Sequence, residues 1–575
     1  MGVAKAVYIA SNGKKIVTCI PGVYPIINTD ATEGASFASD RNVCFVGEAY
    51  AGQGQTLLEF ADEAEAKRVL KGGDLYNAIY KGFNCSSDFR PSKLFGMQPG
   101  VNVNAQLYLK DSGSNNVLLL KTSVYGTPAN GISAIVADGT TAGTKKITIK
   151  NGSEETKTID DIIYQAFTLT TSKGVTTATT TIDEEGLKTT IDAAADLDIK
   201  FKDYPTLKRL IDFINGQTGY SAVLIGDPEM PSNELDHFTT SSIKSPTTLT
   251  VTANIRYMID LINQNFELIE EASLASGVTT NRAQLANLAE KFFTGGDTPT
   301  VTSTNWDDMF TVLEKKDVQA VVSADDSQTS ILKVQAFVSK MWEKDYRRYP
   351  IGIVGTDATD TDSDKISLAQ LLGDPNIVLC GANHYDLNEF GIEVEMDGRD
   401  LAAKFGGIMA NSDITEPITF KKIRATRIKT ELKPAEQEAF IQAGIVMLKL
   451  SDVDGQIICL RSITTYQGDN LQLNEYSIRR TEGWISRDRF LNLQRYMEKP
   501  NKNRKTLPGD LKSKDRKRLE EYIGLGYLAI DPNGKKQTIS KHELEQIADK
   551  FIIRSKVLVT APDNFLFLDQ EFDLV

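Results

Sequence analysis

The sequence predicts a multidomain fold of the α/β (α+β) type, in which an open α/β core is split by a β-rich insertion domain and flanked by extended N- and C-terminal arms. The chain has 575 residues, more than one compact core usually holds. Short apolar strands alternate with amphipathic helices in two separate stretches. Between these stretches, short strand-like runs rich in Thr, Gly, Ser and Asp indicate the insertion.

Shifts in composition divide the chain into six segments. They are an N-terminal arm (1–27), the first half of the α/β core (28–123), the inserted β-rich domain with a helical return (124–300), the second half of the core (301–400), a C-terminal domain (401–560) and a C-terminal arm (561–575).

The two halves of the predicted core share one pattern. In the first half we expect strands at 43–47 and 101–110 and helices at 61–70 and 75–83. In the second half we expect strands at 318–323, 351–355 and 377–380, with helices at 327–342 and near Leu368. Such alternation is typical of an open sheet covered by helices.

The remaining segments have their own signals. Residues 6–20 alternate apolar and polar around Asn12-Gly13, which favours a hairpin. Eight threonines fall within 168–181, and apolar residues at helical spacing follow at 204–214 and 255–269. In the C-terminal domain, 401–409 predicts a small-residue helix suited to close packing, and 445–450 and 456–465 predict a hairpin around Asp454-Gly455. Further helices are expected at 486–497 and 511–523, and a strand at 556–560.

Charge and cysteine content narrow the class of function. The net charge of −13 argues against nucleic acid as a partner, because phosphate binding needs a basic surface. The five cysteines are far apart and form no C-x-x-C pair, so they indicate neither a disulfide framework nor a zinc site. The sequence also shows neither a secretory signal nor an apolar span long enough to cross a membrane, so we expect cytosolic synthesis without membrane insertion.

Motifs of phosphate and metal binding are incomplete. The segment 47–54 resembles a phosphate-binding loop, but Gln53 stands where lysine is needed. Asp360, Asp362 and Asp364 resemble the start of a calcium loop that lacks both its glycine and its final glutamate. A solvated acidic loop is the simpler interpretation.

Histidine and serine chemistry is also poorly supported. His542-Glu543 has Gln546 where a zinc protease needs its second histidine. Ser327 follows a predicted strand and is better interpreted as a helix N-cap than as a nucleophile. We therefore expect no enzyme activity, no catalytic or metal site and no cofactor.

A basic segment at 500–522 opposes the charge of the whole chain. Eight basic residues face four acidic ones there: Lys502, Arg504, Lys505, Lys512, Lys514, Arg516, Lys517 and Arg518. The segment is interpreted either as a solvated helix face or as a docking surface for an acidic protein, where opposite potentials fix register.

Several motifs in order resemble the tail sheath proteins of contractile phages and related contractile injection systems. In the first part these are PGVY (21–24), VCFVG (43–47), KGGDL (71–75), YG (125–126) and ANGI (129–132). In the C-terminal part they are LAAKFGGIMA (401–410), AGI (443–445) and RSITT (461–465). The resemblance covers most of the chain except about 133–300.

The resemblance implies a virion protein without enzyme activity. It implies a structural subunit that polymerises as stacked hexameric rings around a tail tube and contracts to drive the tube through the host cell envelope. Its partners would be copies of itself, the tail tube protein, and the baseplate and tail terminator proteins, with no nucleic acid and no membrane insertion. It would be assembled in the host cytoplasm and act in the virion tail, and the basic segment would be a candidate surface for the tube.

The chain ends supply the candidate residues that link subunits. An extended strand satisfies its backbone groups by joining a neighbour's sheet edge. The candidates are Phe565, Phe567, Leu568, Phe572, Leu574 and Val575 at one end, and Ile16, Val17, Ile20, Val23 and Tyr24 at the other. The C-terminal segment could instead pair within its own domain, and the N-terminal donor could be either the hairpin or the stretch after Tyr24.

Two other classes of protein stay open at this point. The Thr-rich middle would suit another β-rich virion or surface protein, such as an adhesin, although the α/β flanks do not favour it. The alternation of strands and helices would also suit an α/β enzyme with an inserted lid. Electron microscopy separates the three, because a sheath subunit should form tubes or rings.

Overall fold

The computed structural model of the chain describes residues 7–11, 14–18, 40–152, 155–163, 165–174, 176–278, 285–325, 327–497, 507–531, 533–547 and 550–562. These residues form many short strands together with helices of four to 22 residues. The fold is therefore a mixture of helices and several sheets, as the sequence predicts.

The strands of the described residues are, in chain order, β1 Val7–Ser11, β2 Lys14–Thr18, β3 Val43–Val46, β4 Leu58–Phe60, β5 Leu94–Met97, β6 Asn104–Lys110, β7 Asn116–Tyr125, β8 Ile132–Asp138, β9 Thr144–Asn151, β10 Glu155–Ile163, β11 Gln165–Thr171, β12 Ala178–Ile182, β13 Gly186–Ile191, β14 Ala194–Lys200, β15 Tyr220–Leu224, β16 Phe238–Ser242, β17 Leu249–Thr252, β18 Ile269–Leu274, β19 Leu288–Phe292, β20 Ala320–Ser323, β21 Ile351–Gly355, β22 Ile377–Cys380, β23 His384–Leu387, β24 Glu393–Met396, β25 Arg427–Ile428, β26 Ile445–Val446, β27 Leu448–Leu450, β28 Ile457–Cys459, β29 Ile539–Ile547 and β30 Lys550–Val557.

The helices of the described residues are α1 Glu63–Leu70, α2 Asp74–Phe83, α3 Leu207–Asn215, α4 Ile255–Asn265, α5 Ser303–Leu313, α6 Gln328–Trp342, α7 Asp362–Leu372, α8 Gly398–Asn411, α9 Pro434–Gln442, α10 Leu471–Asn474, α11 Tyr476–Met497 and α12 Leu507–Gly524.

The described residues pack into two units. Unit 1 contains those up to Phe45, Lys81–Phe95 and those from Glu314 onward. Unit 2 contains Val46–Tyr80 and Gly96–Leu313. The six segments drawn from composition stay a prediction.

Unit 1 is built on a mainly parallel sheet. Its strands lie in the order β26, β22, β21, β20, β3 and β5, and β20, β21, β22 and β26 run parallel. Every residue of β20, β21 and β22 is buried. Continuous apolar runs suit such strands because a parallel sheet is covered on both faces.

Helix α8 packs directly on this sheet through small residues. A Cβ at Gly406 would lie 2.6 Å from Cγ2 of Val322, and one at Gly407 would lie 2.0 Å from the carbonyl oxygen of Gly82. Larger side chains would push the helix off its neighbours, so these positions need glycine. The sequence prediction of a closely packed helix is confirmed.

Unit 2 is β-rich and has two separate hydrophobic cores. One core draws on β6 to β9, β18 and α4, and the other on β11 to β15, β17 and α3. The second core lies entirely within residues 166–253. The first strand around it, β11, pairs with the last, β17, through Gln165 and Thr252, so this subdomain begins and ends at one place.

Most of the predicted elements are found, with local differences. The N-terminal hairpin is confirmed, since β1 and β2 pair from Val7↔Thr18 to Ser11↔Lys14. Ser327 caps α6 by accepting a hydrogen bond from the Ser330 N–H, as expected. The predicted helix at 255–269 is wrong at its end, because Ile269 begins β18.

The predicted hairpin around Asp454-Gly455 is shorter than expected. Its arms are β27 and β28, while Ile445 and Val446 form β26 and extend the parallel sheet beside β22. Tertiary pairing therefore divides an apolar run that the sequence pattern assigns to one strand.

Candidate assembly interface

The C-terminal part of unit 1 carries a two-stranded antiparallel ribbon, β29 and β30. The strands pair from Ile539↔Val557 to Ile547↔Lys550 and, within the described residues, join no other strand. The described ribbon residues are exposed or half-buried, although the His542 side chain is only 5% exposed. A two-stranded ribbon alone is marginally stable in water, and an edge strand is a template for pairing with another chain. The ribbon is therefore suited to receive a further strand.

The base of the ribbon is fixed to the segment that follows α12. The Leu558 N–H donates to the Thr538 carbonyl at 2.8 Å, and the Ala529 N–H donates to the Leu558 carbonyl at 2.8 Å. The Thr560 N–H reaches the Tyr527 carbonyl at 3.2 Å. These bonds hold the ribbon at one end.

A small apolar core supports this base. It is formed by Ile414, Trp484, Ile485, Leu519, Tyr522, Tyr527 and Leu528. The ring of Trp484 on α11 meets Tyr522 and Tyr527 edge to face, with centroids 5.7 and 5.2 Å apart. Aromatic pairs prefer this geometry. Helices α11 and α12 and the ribbon therefore form one module.

Asp515 joins the three elements of this module. Its carboxylate, which is fully buried, accepts two hydrogen bonds from Arg489 on α11, at 2.9 and 2.7 Å. It also lies 2.9 Å from Nε2 of His542 on β29. His542 thus has a hydrogen-bonding partner within this module.

Arg518 corrects one sequence expectation. Among the basic candidates for a tube-facing surface, it is buried, and its guanidinium binds both carboxylate oxygens of Asp488 at 2.6 and 2.9 Å. Tyr522 donates to the same carboxylate at 2.5 Å. Burial alone would lower the pKa of Arg518, but its bonds to Asp488 and Glu521 outweigh it and hold the pKa above the usual range. Arg518 links α11 to α12 and faces no partner.

The other described basic residues of α12 lie on its exposed face. They are Lys512, Lys514, Arg516 and Lys517. Arg516 forms a surface ion pair with Glu520 at 2.8 Å, and the acidic Asp515 is buried. The exposed face of α12 is therefore basic, which keeps it a candidate for an acidic partner. Lys502, Arg504 and Lys505 lie outside the described residues.

Arg480 on α11 anchors the point where the N-terminal segment enters unit 1. Its side chain, 4% exposed, donates to the carbonyl oxygens of Asp40 at 2.9 Å, Met409 at 3.1 Å and Ser412 at 3.2 Å. It also donates to the Asp413 carbonyl at 3.0 Å. Carbonyls at the C-terminus of α8 favour a cation, so Arg480 both caps that helix and holds residue 40.

The candidate arm residues are only in part within the described chain. Ile16 and Val17 lie in β2, opposite Ile9 and Tyr8 of β1. The ribbon of β1 and β2, like that of β29 and β30, pairs with no other described strand. Ile20, Val23, Tyr24, Phe565, Phe567, Leu568, Phe572, Leu574 and Val575 lie outside the described residues, and their role stays a prediction.

Two features of this interface were missed from the sequence. The ribbon was missed because Ala548-Asp549, between its strands, is not one of the turn pairs that favour hairpins. A weaker signal was available in the aromatic and β-branched run Phe551-Ile552-Ile553. Arg480 was missed because nothing in the sequence distinguishes it from other arginines of α11.

The motifs considered for chemistry have structural roles. Thr361 and Asp364 form a capping box at the start of α7, so the acidic run belongs to a helix N-terminus. Among the described residues, no group of three or more His, Cys, Asp or Glu side chains is placed to hold a metal ion. The described cysteines are buried, and burial raises the pKa of the Cys85 thiol to about 12. No helix in the described part of the chain is long and apolar enough to cross a membrane.

One polar cluster in unit 1 resembles a site, but its Lys404, His384 and Asp386 side chains are all buried. The Lys404 ammonium, fully buried, contacts Oδ2 of Asp386 at 2.7 Å, Nε2 of His384 at 2.9 Å and the Arg424 carbonyl at 2.6 Å. Burial lowers the pKa of Lys404 to about 8, although Asp386 opposes the shift. The cluster connects α8 to β23 and acts as a structural cross-link.

The His384 imidazole in this cluster predicts a pH effect. Burial, with the nearby Lys404 charge, lowers the pKa of His384 well below 6.5. As the pH falls through 6.5, the unfolded chain binds a proton there and the folded chain does not, so stability is lost. We expect His384→Gln to remove a slope of up to about 1.4 kcal/mol per pH unit. Denaturant unfolding of both proteins between pH 7 and pH 5 measures it, and parallel curves would contradict the assignment.

The fold is that of sheath tail proteins. The structure of a sheath tail protein from Listeria innocua matches with a TM-score of 0.52 and 12% identity, over 91% of this chain and 96% of that one. At this identity the match shows the fold alone.

Sequence relatives agree with the fold. The chain is 25% identical over 495 residues to the tail sheath protein of Bacillus phage SP01, covering 83% of each chain. It is 23% identical over 444 residues to the putative tail sheath protein of Enterococcus phage phiEF24C, covering 74% of each. No family model matches the chain. The chain is thus a homologue of phage tail sheath proteins, and the resemblance seen in its motifs is confirmed.

Proposed function

We propose that this chain is the structural subunit of a contractile tail sheath. Copies stack as hexameric rings around a tail tube, and the sleeve contracts to drive the tube through the host cell envelope. The observation that carries the proposal is the match over 83% of the chain to a phage tail sheath protein. Assembly takes place in the host cytoplasm, and the working location is the virion tail.

Subunits are joined by strand addition in this proposal. The β29–β30 ribbon is fixed at its base and pairs with no other described strand, so it can accept an extended segment of a neighbour on its free edges. Backbone hydrogen bonds supply affinity in such pairing, and alternate side chains supply specificity. The donors are the N-terminal arm with Ile16 and Val17 and the C-terminal arm from Phe565.

Contraction then follows from the packing of rigid bodies. In unit 1, helix α8 packs so closely at Gly406 and Gly407 that this core cannot deform without losing contacts. Arms that stay paired keep neighbouring subunits connected while the folded bodies rotate and form larger interfaces. Such an assembly has two stable states, and the free energy that drives contraction is stored when the sheath assembles. The end rings bind the baseplate and tail terminator proteins in the same scheme. Neither nucleic acid nor a membrane is a partner.

The test of the proposed function is electron microscopy of the purified full chain. Tubes or rings with six-fold symmetry in negative stain are expected as the protein is concentrated. A monomer that persists at every concentration would count against the proposal.

The exposed basic face of α12 is proposed to bind the tail tube. We expect the quadruple change of Lys512, Lys514, Arg516 and Lys517 to glutamate to weaken tube binding by about tenfold or more, because opposite potentials fix this contact. Co-sedimentation of sheath and tube protein measures it, and added salt should weaken wild-type binding in the same direction.

A matched control uses charges elsewhere on the surface. Changing the exposed Lys110, Lys157, Lys202 and Lys291 of unit 2 to glutamate alters the net charge by the same amount and should leave tube binding unchanged. Equal loss in both variants would show that total charge matters and would remove α12 from the interface.

A further inference from the structure

The outer edge of β30 offers an uninterrupted row of backbone hydrogen-bonding groups. The N–H groups of Leu558 and Thr560 donate to carbonyls of their own chain, at Thr538 and Tyr527. Because backbone groups alternate in direction along a strand, every second residue of β30 before them directs its N–H and C=O away from β29. These residues are Phe551, Ile553, Ser555 and Val557. Within the described residues β30 pairs with β29 alone, so this row is available to a further strand.

The outer edge of β29 is less suited to that role. Its pairing with β30 is irregular between Ile539 and Lys541, and an extra residue of this kind bends a strand. His542, near the middle of β29, lies 2.9 Å from Asp515 of α12, so this helix stands beside the strand. Bulges and covering elements are both means by which proteins block an edge strand. Of the two edges, that of β30 is therefore the better acceptor.

The ribbon has one apolar and one charged face. Ile539 and Val557 lie opposite each other on the apolar face and pack against the core of the module. The charged residues of the other face are Lys541, Glu543, Glu545, Arg554 and Lys556. Glu543 is ion-paired with Lys541 and Glu545 with Arg554, at 3.0 and 2.5 Å. Lys556 has no ion pair among the described residues, and Lys550 begins the same strand, so the excess positive charge belongs to β30.

Residues 568–574, near the end of the chain, have a complementary pattern. Every second residue is acidic: Asp569, Glu571 and Asp573. The residues that alternate with them are Leu568, Gln570, Phe572 and Leu574, of which only Gln570 is polar. In an extended strand, successive side chains point to opposite faces, so this segment would have one acidic and one apolar face. Placed beside β30, it would continue both faces of the ribbon.

We infer that the outer edge of β30 accepts residues 568–574 of a second copy, and that charge selects this segment over the N-terminal arm. The inference rests on the proposed function, in which the chain ends link subunits. Opposite charges on neighbouring strands attract, so acidic residues suit a place beside Lys556. The N-terminal arm contains Lys5, Lys14 and Lys15 and no acidic residue, and it would bring like charges together there.

A second copy is a better source of this strand than the same chain. To pair with β30 of its own chain, the segment would have to follow a turn made by residues 561–567. Phe565, Leu566 and Phe567 would then belong to that turn, although turns favour Gly, Pro, Asn, Asp and Ser. A segment that extends to a neighbouring subunit needs no such turn.

Charge reversal in two separate chains tests the inference. The arm variant carries Asp569→Lys and Asp573→Lys, and the ribbon variant carries Lys550→Glu and Lys556→Glu. Each variant alone should raise the critical concentration for polymer, measured by sedimentation of the full chain, about tenfold or more, because like charges then meet at the edge. Both should melt within about 2 °C of the wild type, since Lys556 is exposed in the subunit.

An equal mixture of the two variants gives the sharper result. The reversed arm fits the reversed ribbon, and the unchanged arm of the ribbon variant fits the unchanged ribbon of the arm variant. The mixture should therefore polymerise within about threefold of the wild-type critical concentration, although neither component does so alone. Only pairing between different chains predicts this rescue.

Lys535→Glu together with Lys536→Glu is the matched control. Both residues are exposed and precede β29 in the same module, and the change in net charge equals that of the ribbon variant. The control should polymerise alone as the wild type does. An equal loss in the control and in the ribbon variant would show that the charge of the module matters and not that of β30.

Other results would also overturn the inference. Wild-type assembly of the arm variant or of the ribbon variant alone would show that these charges are not in the contact. Failure of the mixture, with polymer from one chain that carries both sets of changes, would show that the arm pairs with its own ribbon. Failure of both would remove charge as the selecting feature. A wild-type chain that forms no polymer would instead count against the proposed function, and this inference would fail with it.

Discussion

Removal of residues 563–575 is expected to abolish polymerisation of the purified chain while its fold is retained. The strand pairs of the β29–β30 ribbon and the bond from Thr560 to Tyr527 do not involve the deleted residues, so the truncation leaves these groups in place. The deleted segment carries Phe565, Phe567, Leu568 and Phe572, which need cover from water. In the proposed assembly that cover comes from a neighbour, and its loss removes one link per subunit.

Sedimentation velocity and thermal melting of the truncated chain together check this prediction. A monomer that melts within about 2 °C of the wild type is expected. A lower melting temperature with loss of cooperativity would show that the segment pairs within its own domain, the alternative that the sequence left open. Glu571→Gln serves as the control, because it alters the same segment without reducing its apolar content.

The sequence predicted those parts of the fold that depend on local pattern. Apart from Ser323 at the end of β20, strands β20, β21 and β22 contain no polar side chain, and such a run is enough to predict a buried parallel strand. Helix α8 was predicted from its small residues, and Gly406 and Gly407 show the contact that requires them. The hairpin of β1 and β2 followed from alternation around Asn12-Gly13.

The candidate interface could be predicted only in part, because the roles of its residues depend on contacts with residues of the same chain that are distant in sequence. From the sequence, Arg518 was predicted to be a surface cation of the basic segment. In the structure, it contacts Asp488, whose carboxylate also binds Tyr522. No spacing rule in the sequence brings such residues together.

The division into domains could also be predicted only in part from the sequence. Composition indicated one insertion, whereas packing in unit 2 gives two cores, and the core within 166–253 closes on itself through Gln165 and Thr252.

We expect replacement of 165–253 by a short Gly/Ser linker to leave unit 1 folded and able to polymerise, since the subdomain has its own core. Electron microscopy of the shortened chain checks this, and loss of tubes would place the subdomain at a subunit contact.

Arg480→Met is expected to give the largest loss of stability of any single change considered. The guanidinium donates to four carbonyl oxygens, from Asp40, Met409, Ser412 and Asp413, and Arg480 is only 4% exposed. Methionine has a similar length but donates no hydrogen bond. Leaving these carbonyls without their donor and the C-terminus of α8 without its cation should cost about 3–5 kcal/mol of unfolding free energy.

Hydrogen exchange and denaturant unfolding of Arg480→Met measure the two consequences separately. Amides of 40–46 and 409–414 should exchange about 100-fold faster or more, because residue 40 and the end of α8 lose the same anchor and open together. Arg480→Lys keeps the charge but cannot reach all four acceptors. Its losses of stability and of exchange protection should therefore lie between those of the wild type and of Arg480→Met. Arg516→Met removes an exposed cation of α12 and should change stability by less than about 0.5 kcal/mol. If Arg480→Met altered stability but left exchange at 40–46 unchanged, Arg480 would cap α8 without holding residue 40, and the bonds of Asn42 to Asp317 and Gln319 would hold that segment instead.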